Sequence, residues 1–85
     1  MYIIVGSSTT AERLKKVSEK LMGFPAYVVH TPIKLRNGGC SYSVRIDDRA
    51  LDDIKKIASD NYISIKGIYI EKTENGERVY RDVSW

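Results

Sequence analysis

Tyr2-Ile3-Ile4-Val5-Gly6-Ser7-Ser8-Thr9-Thr10 changes chemical character halfway along its length. The first four residues are apolar and rich in β-branched side chains, the signature of a buried central strand, and Gly6 ends them. The hydroxyl run that follows is helix-start chemistry, because such side chains accept hydrogen bonds from backbone N–H groups left free in a first turn. Thr9-x-x-Glu12 fits a capping box, which predicts Thr9 as the cap and Glu12 reaching back to it. A strand leading straight into a helix sets a mixed α and β architecture.

Downstream, Ala11, Leu14, Val17, Leu21 and Met22 recur every three or four residues and predict one apolar helical stripe. Gly23 supplies a left-handed C-terminal residue, and Pro25 forbids continuation. Ala26 to Thr31 reads as a second strand stopped by Pro32. Tyr42, Val44 and Ile46 alternate with Ser41, Ser43 and Arg45, predicting a third strand with one wet face. Asp47 or Asp48 caps a second helix that buries Leu51, Ile54, Ile57 and Ala58. Ile63, Ile65, Ile68 and Ile70 predict a fourth strand, with a bulge near Lys66-Gly67 absorbing their uneven spacing. Asn75-Gly76 is a hairpin turn signal, and Glu77 to Val83 returns as a fifth strand.

The order β-α-β-β-α-β plus a hairpin strand predicts an α+β fold, a ferredoxin-like βαββαβ two-layer sandwich with an added C-terminal hairpin strand. Residues 1–85 are expected to form a single domain, with the core at about 2–70 and the hairpin at about 68–83. Strands one and three are expected to be central and parallel. The Gly6–Thr10 turn and the connection between strands two and three then fall at opposite ends of the sheet.

With 85 residues, 42% of them hydrophobic and 29% charged, the composition is globular rather than disordered. The longest apolar runs have four residues, far short of a membrane span or a signal peptide's apolar region, so a cytoplasmic protein is expected. One cysteine and one histidine exclude an internal disulfide and a multi-cysteine or His-rich metal site. No cofactor is called for. Charge is uneven: residues 1–46 carry a balance of +5 and residues 47–85 a balance of −2.

Cys40 is the leading candidate for chemistry. It closes Ile33-Lys34-Leu35-Arg36-Asn37-Gly38-Gly39-Cys40, a glycine-containing basic connection that favours an accessible sulfur. Lys34 and Arg36 are expected to stabilise thiolate over thiol, and equally an anionic persulfide formed by accepting sulfur or selenium. His30, at the end of strand two, is a candidate for proton transfer with Cys40 if strands two and three pair. Gly6, Ser7, Ser8 and Thr9 offer hydroxyls and N–H groups to an anion at a helix start, although they lack the spacing of a nucleotide-binding glycine motif. Six tyrosines raise the question of base stacking, but no RNP-like aromatic signature surrounds them, and nucleic acid is not expected as a partner.

Four stretches together carry a resemblance. Tyr2 to Thr10, Thr31-Pro32, Gly39-Cys40 and Gly67-Ile68-Tyr69 resemble the selenium/sulfur carrier protein-like family of small bacterial domains, over residues 2 to about 70. The resemblance implies a carrier whose loop cysteine holds the chalcogen for a protein donor or acceptor. Thr31, Pro32, Lys34 and Cys40 match the family pattern, while Ser41 stands where the family commonly has glycine. The reading is a carrier or binding protein rather than an enzyme, since no catalytic constellation is legible. An alternative is a non-catalytic interaction or regulatory module that pairs through its sheet edges, including with a second copy. RNA binding by the basic first half is the third reading.

Overall fold

The computed structural model describes residues 1–35 and 42–83. Strand β1 (Tyr2–Val5) leads into helix α1 (Ser8–Met22), and β2 (Tyr27–His30) follows. A single 3-10 turn (Ile33–Leu35) opens the next connection, which ends at β3 (Tyr42–Arg45). Another 3-10 turn (Asp48–Ala50) precedes α2 (Leu51–Asp60), and the hairpin β4 (Gly67–Glu74) and β5 (Glu77–Asp82) completes the order. The fold is α+β: two helices and a five-stranded antiparallel sheet in the order β2-β3-β1-β4-β5.

Residue parity explains the layers. Ile3 and Val5 of β1, Val44 of β3 and Ile68 of β4 point to one face, where they form a single cluster with Ala11 and Leu14 of α1 and Ile54 and Ala58 of α2. The opposite, helix-free face carries Tyr2, Ser43, Arg45, Tyr69 and Tyr80 by the same register.

Strand direction overturns one expectation. β1 and β3 are adjacent and central but antiparallel, with Ile3 opposite Val44 and Val5 opposite Tyr42. The reason is connectivity. The α1 crossover returns β2 in the direction of β1, and β3 lies between them, antiparallel to both. The Gly6–Thr10 turn and the β2–β3 connection therefore share one end of the sheet rather than occupying opposite ends.

Three local readings also change. Ser7, not Thr9, caps α1: its backbone is still extended (φ −153°, ψ 161°) and its Oγ accepts from the Thr10 N–H at 3.2 Å. Leu21, expected on the buried stripe, is 62% exposed, while Ser18 is fully buried. The fourth strand starts only at Gly67; upstream, Ile63 N–H bonds the Ala58 carbonyl and Lys66 N–H the Ile4 carbonyl, so Ile63 is buried without belonging to a ladder. Asn75 (φ 51°) and Gly76 (φ 79°) both take the left-handed conformation that a tight hairpin turn needs.

Candidate functional site

The shared end of the sheet is built by three elements. Val5 closes β1, His30 closes β2, and both are opposite or next in register to Tyr42, the first residue of β3. The His30 and Tyr42 rings lie 5.2 Å apart between centroids, tilted by 32°. His30 itself is exposed. One residue on, Thr31 turns inward, and its Oγ1 meets Ser43 Oγ at 2.7 Å with both residues fully buried. This hydroxyl pair joins the end of β2 to the start of β3.

Gly6, Ser7, Ser8 and Thr9 occupy the same end, all exposed. Ser7 Oγ engages the Thr10 N–H and also lies 3.0 Å from Thr10 Oγ1, while the Ser7 carbonyl accepts from Ala11 N–H at 3.0 Å. The positive end of the α1 dipole thus faces this rim. Lys66 adds a cation: its Cε is 3.5 Å from where a β-carbon on Gly6 would stand. Beside the first turn, Ser8, Thr9, Glu12, Arg13 and Lys16 line a surface hollow of about 450 Å³.

Of the residues singled out in the sequence, Gly6, Ser7, Ser8, Thr9 and His30 are brought to one rim. Lys34 is directed elsewhere: from the 3-10 turn its Nζ donates to the Arg78 carbonyl of β5 at 2.9 Å. Arg36 and Cys40 lie outside the described residues. Among the described residues, no cluster of three His, Cys, Asp or Glu could hold a metal.

Two features escaped the sequence. Tyr2 OH donates to Glu71 Oε2 at 3.2 Å, and the Tyr2 and Tyr80 rings meet edge to face at 5.9 Å. Burial, and then the neighbouring Glu71 carboxylate, push both phenols above the ordinary tyrosine range. Counting back from the Asn75-Gly76 turn pairs Glu71 with Tyr80, so half of this cluster was legible in principle. The other is the N-terminal ammonium, which donates to the Ile46 carbonyl and to Asp48 Oδ1, both at 2.7 Å. Nothing local in the sequence announces that contact.

The described residues thus form an α+β fold with a hydroxyl-rich, cation-flanked rim at one end of the sheet. The model of the family described as Putative Se/S carrier protein-like matches residues 1–70, and the chain belongs to that family. No curated protein and no solved structure matches the chain.

Proposed function

We propose that the chain is a sulfur/selenium carrier in which Cys40 holds the chalcogen and passes it to a partner protein. Family membership supports the carrier role. The observation that carries the site is the register of Val5 and His30 with Tyr42, which gathers the α1 N-terminus, Lys66 and His30 at the end of the sheet from which the Cys40 connection departs. Cys40 stands two residues before Tyr42 in sequence, at most about 7 Å of extended chain. The scaffold is a ferredoxin-like βαββαβ sandwich extended by β5.

The transfer is a thiol–persulfide exchange. Cys40 thiolate attacks the outer sulfur of a donor persulfide, the donor's S–S bond breaks, and the donor departs as a thiolate while Cys40 becomes the persulfide. No electrons are gained or lost overall. Arg36 and the α1 N-terminus stabilise the anion on either side of the exchange, and His30 takes up or returns the proton. A second exchange hands the sulfur to the acceptor.

Intact-mass spectrometry after incubation with a low-molecular-weight persulfide tests this. The expected result is a gain of one sulfur in the wild type and none in Cys40→Ser. An unchanged wild-type mass, or equal gain by the variant, refutes the carrier reading.

A further inference from the structure

Helix α2 ends in a turn whose backbone and side chain disagree. Tyr62 N–H approaches the Ser59 carbonyl at 3.4 Å and Ile63 N–H donates to the Ala58 carbonyl at 2.9 Å, the paired bonds of a Schellman motif. The motif needs a left-handed residue, and Tyr62 supplies it at φ 56°. Glycine is what such a position favours, and α1 ends on one, Gly23 at φ 72°. Asn75, also left-handed, sits in a hairpin turn where asparagine is at home. For a tyrosine the β-carbon crowds the following carbonyl oxygen, and no turn chemistry compensates.

Burial does not offset that strain. Tyr62 is 91% exposed, so its ring adds next to nothing to the apolar cluster. The packing at this turn is done by its neighbour Ile63, which is buried. Within the chain, glycine at position 62 is the more stable choice. A large ring held in solvent on a backbone that disfavours it is placed for contact with something outside the chain. Tyrosine suits that use, because its broad ring with a polar tip is buried at an interface for little loss of side-chain freedom.

The surroundings state the chemistry of that contact. Beside the ring lies a hollow of about 440 Å³ lined by Lys55, Ala58, Ser59 and Ile63. Arg13 of α1 reaches the preceding residue, donating to the Asn61 carbonyl at 2.6 Å. Arg13, Lys16 and Lys20 recur at intervals of three and four along α1 and are all exposed, as is Lys66. Glu12, Glu19 and Asp60 offset only part of this charge, and Glu19 is turned to Lys15 at 3.8 Å. The segment after Tyr62 leads to Lys66, whose N–H bonds the Ile4 carbonyl and whose side chain lies at Gly6. The ring and its cations therefore stand at the end of the sheet where β2 finishes and β3 begins.

We propose that Tyr62, with Arg13 and Lys16, is the docking patch for a protein partner that presents an apolar socket rimmed by carboxylates. The ring enters the socket, its hydroxyl donates to a rim carboxylate, and the α1 cations face the rest of the rim. That this partner gives or receives sulfur rests on the carrier reading; that the patch binds a protein of this chemistry does not.

Benzoylphenylalanine in place of Tyr62, photolysed in the cells that make the protein, is expected to give a discrete protein adduct. The same group in place of Lys72, on the hairpin past the other end of β1, is expected to give none of it. Calorimetric titration with the adduct's partner, once purified, then reads the patch. Tyr62→Gly is expected to weaken binding at least tenfold while raising the urea midpoint of the free protein, a combination that a merely structural tyrosine does not produce. Lys16→Glu is expected to weaken binding several-fold at low salt, and 0.5 M salt, at about a Debye length of 4 Å, narrows the difference. No adduct at position 62, an equal adduct at position 72, an adduct removed by nuclease, an affinity unmoved by Tyr62→Gly, or a Tyr62→Gly protein less stable than wild type would overturn the proposal. Tyr62→Gly is also expected to gain sulfur from a low-molecular-weight persulfide as the wild type does, since that donor needs no docking. A wild type that gains none yet binds through Tyr62 loses the carrier reading and keeps the patch.

Discussion

Ser18 sits on the buried face of α1, and its Oγ has no hydrogen-bond partner among the described residues. An unsatisfied buried hydroxyl costs about 1–3 kcal/mol, and alanine is also the better helix former. Ser18→Ala is therefore expected to raise the unfolding free energy by about 1 kcal/mol, measured by urea denaturation. The tyrosine pair makes a second residue-scale prediction. Because Tyr2 and Tyr80 ionise above the ordinary tyrosine range in the folded protein, the unfolded chain loses these protons first. Their contribution to stability is complete below that range and is lost as pH rises through it and on through the folded values. Absorbance titration near 295 nm is expected to show two late-ionising phenols in the wild type. In Glu71→Gln the titration moves back toward the ordinary range, because the carboxylate that opposes ionisation is gone. The cap illustrates why such details hide from sequence: Ser7, Ser8, Thr9 and Thr10 are all competent by chemistry, and the choice falls on Ser7 because the chain is still extended there as it leaves β1.

Elements were more legible than their ends. Both long helices, the paired hairpin and the four strands of the core follow from periodicity and turn residues, which are local properties. What periodicity does not carry is relative direction: whether β3 runs with or against β1 depends on the α1 crossover, a non-local matter, and it decides which loops meet. The Thr31-Pro32 motif could be picked out from sequence, but that the end of β2 lies at the same end of the sheet as the α1 N-terminus could not. Ile63 and Ile65 misled because burial outside a ladder leaves the same apolar mark as a strand. The cap assignment is testable at this scale. Ser7→Ala is expected to cost about 1 kcal/mol and to speed amide exchange in the first turn of α1, while Thr9→Ala leaves both nearly unchanged. Equal effects from the two would return the capping box to Thr9.

At the scale of the whole molecule, the described residues hold an apolar cluster in which Ile3, Leu14, Ile54 and Ile68 are fully buried. A domain of this size has a small margin of stability. Truncation of Ile54, which joins α2 to the sheet, removes about 2–5 kcal/mol. Ile54→Ala is accordingly expected to be largely unfolded at 37 °C, with the loss of ellipticity as the readout, while Ile54→Val retains the fold at a lower melting temperature. From Ile70 to Glu74 the ladder neighbour of β4 among the described residues is β5, and this stretch is tied back to the cluster by Ile70, which packs on it, and by Tyr2, whose OH bonds Glu71 and whose ring meets Tyr80. Beyond those ties, the amides nearest the Asn75-Gly76 turn are expected to exchange before those of the cluster. A fluorophore or spin label on Asn75→Cys in a Cys40→Ser background would report that early opening of the turn.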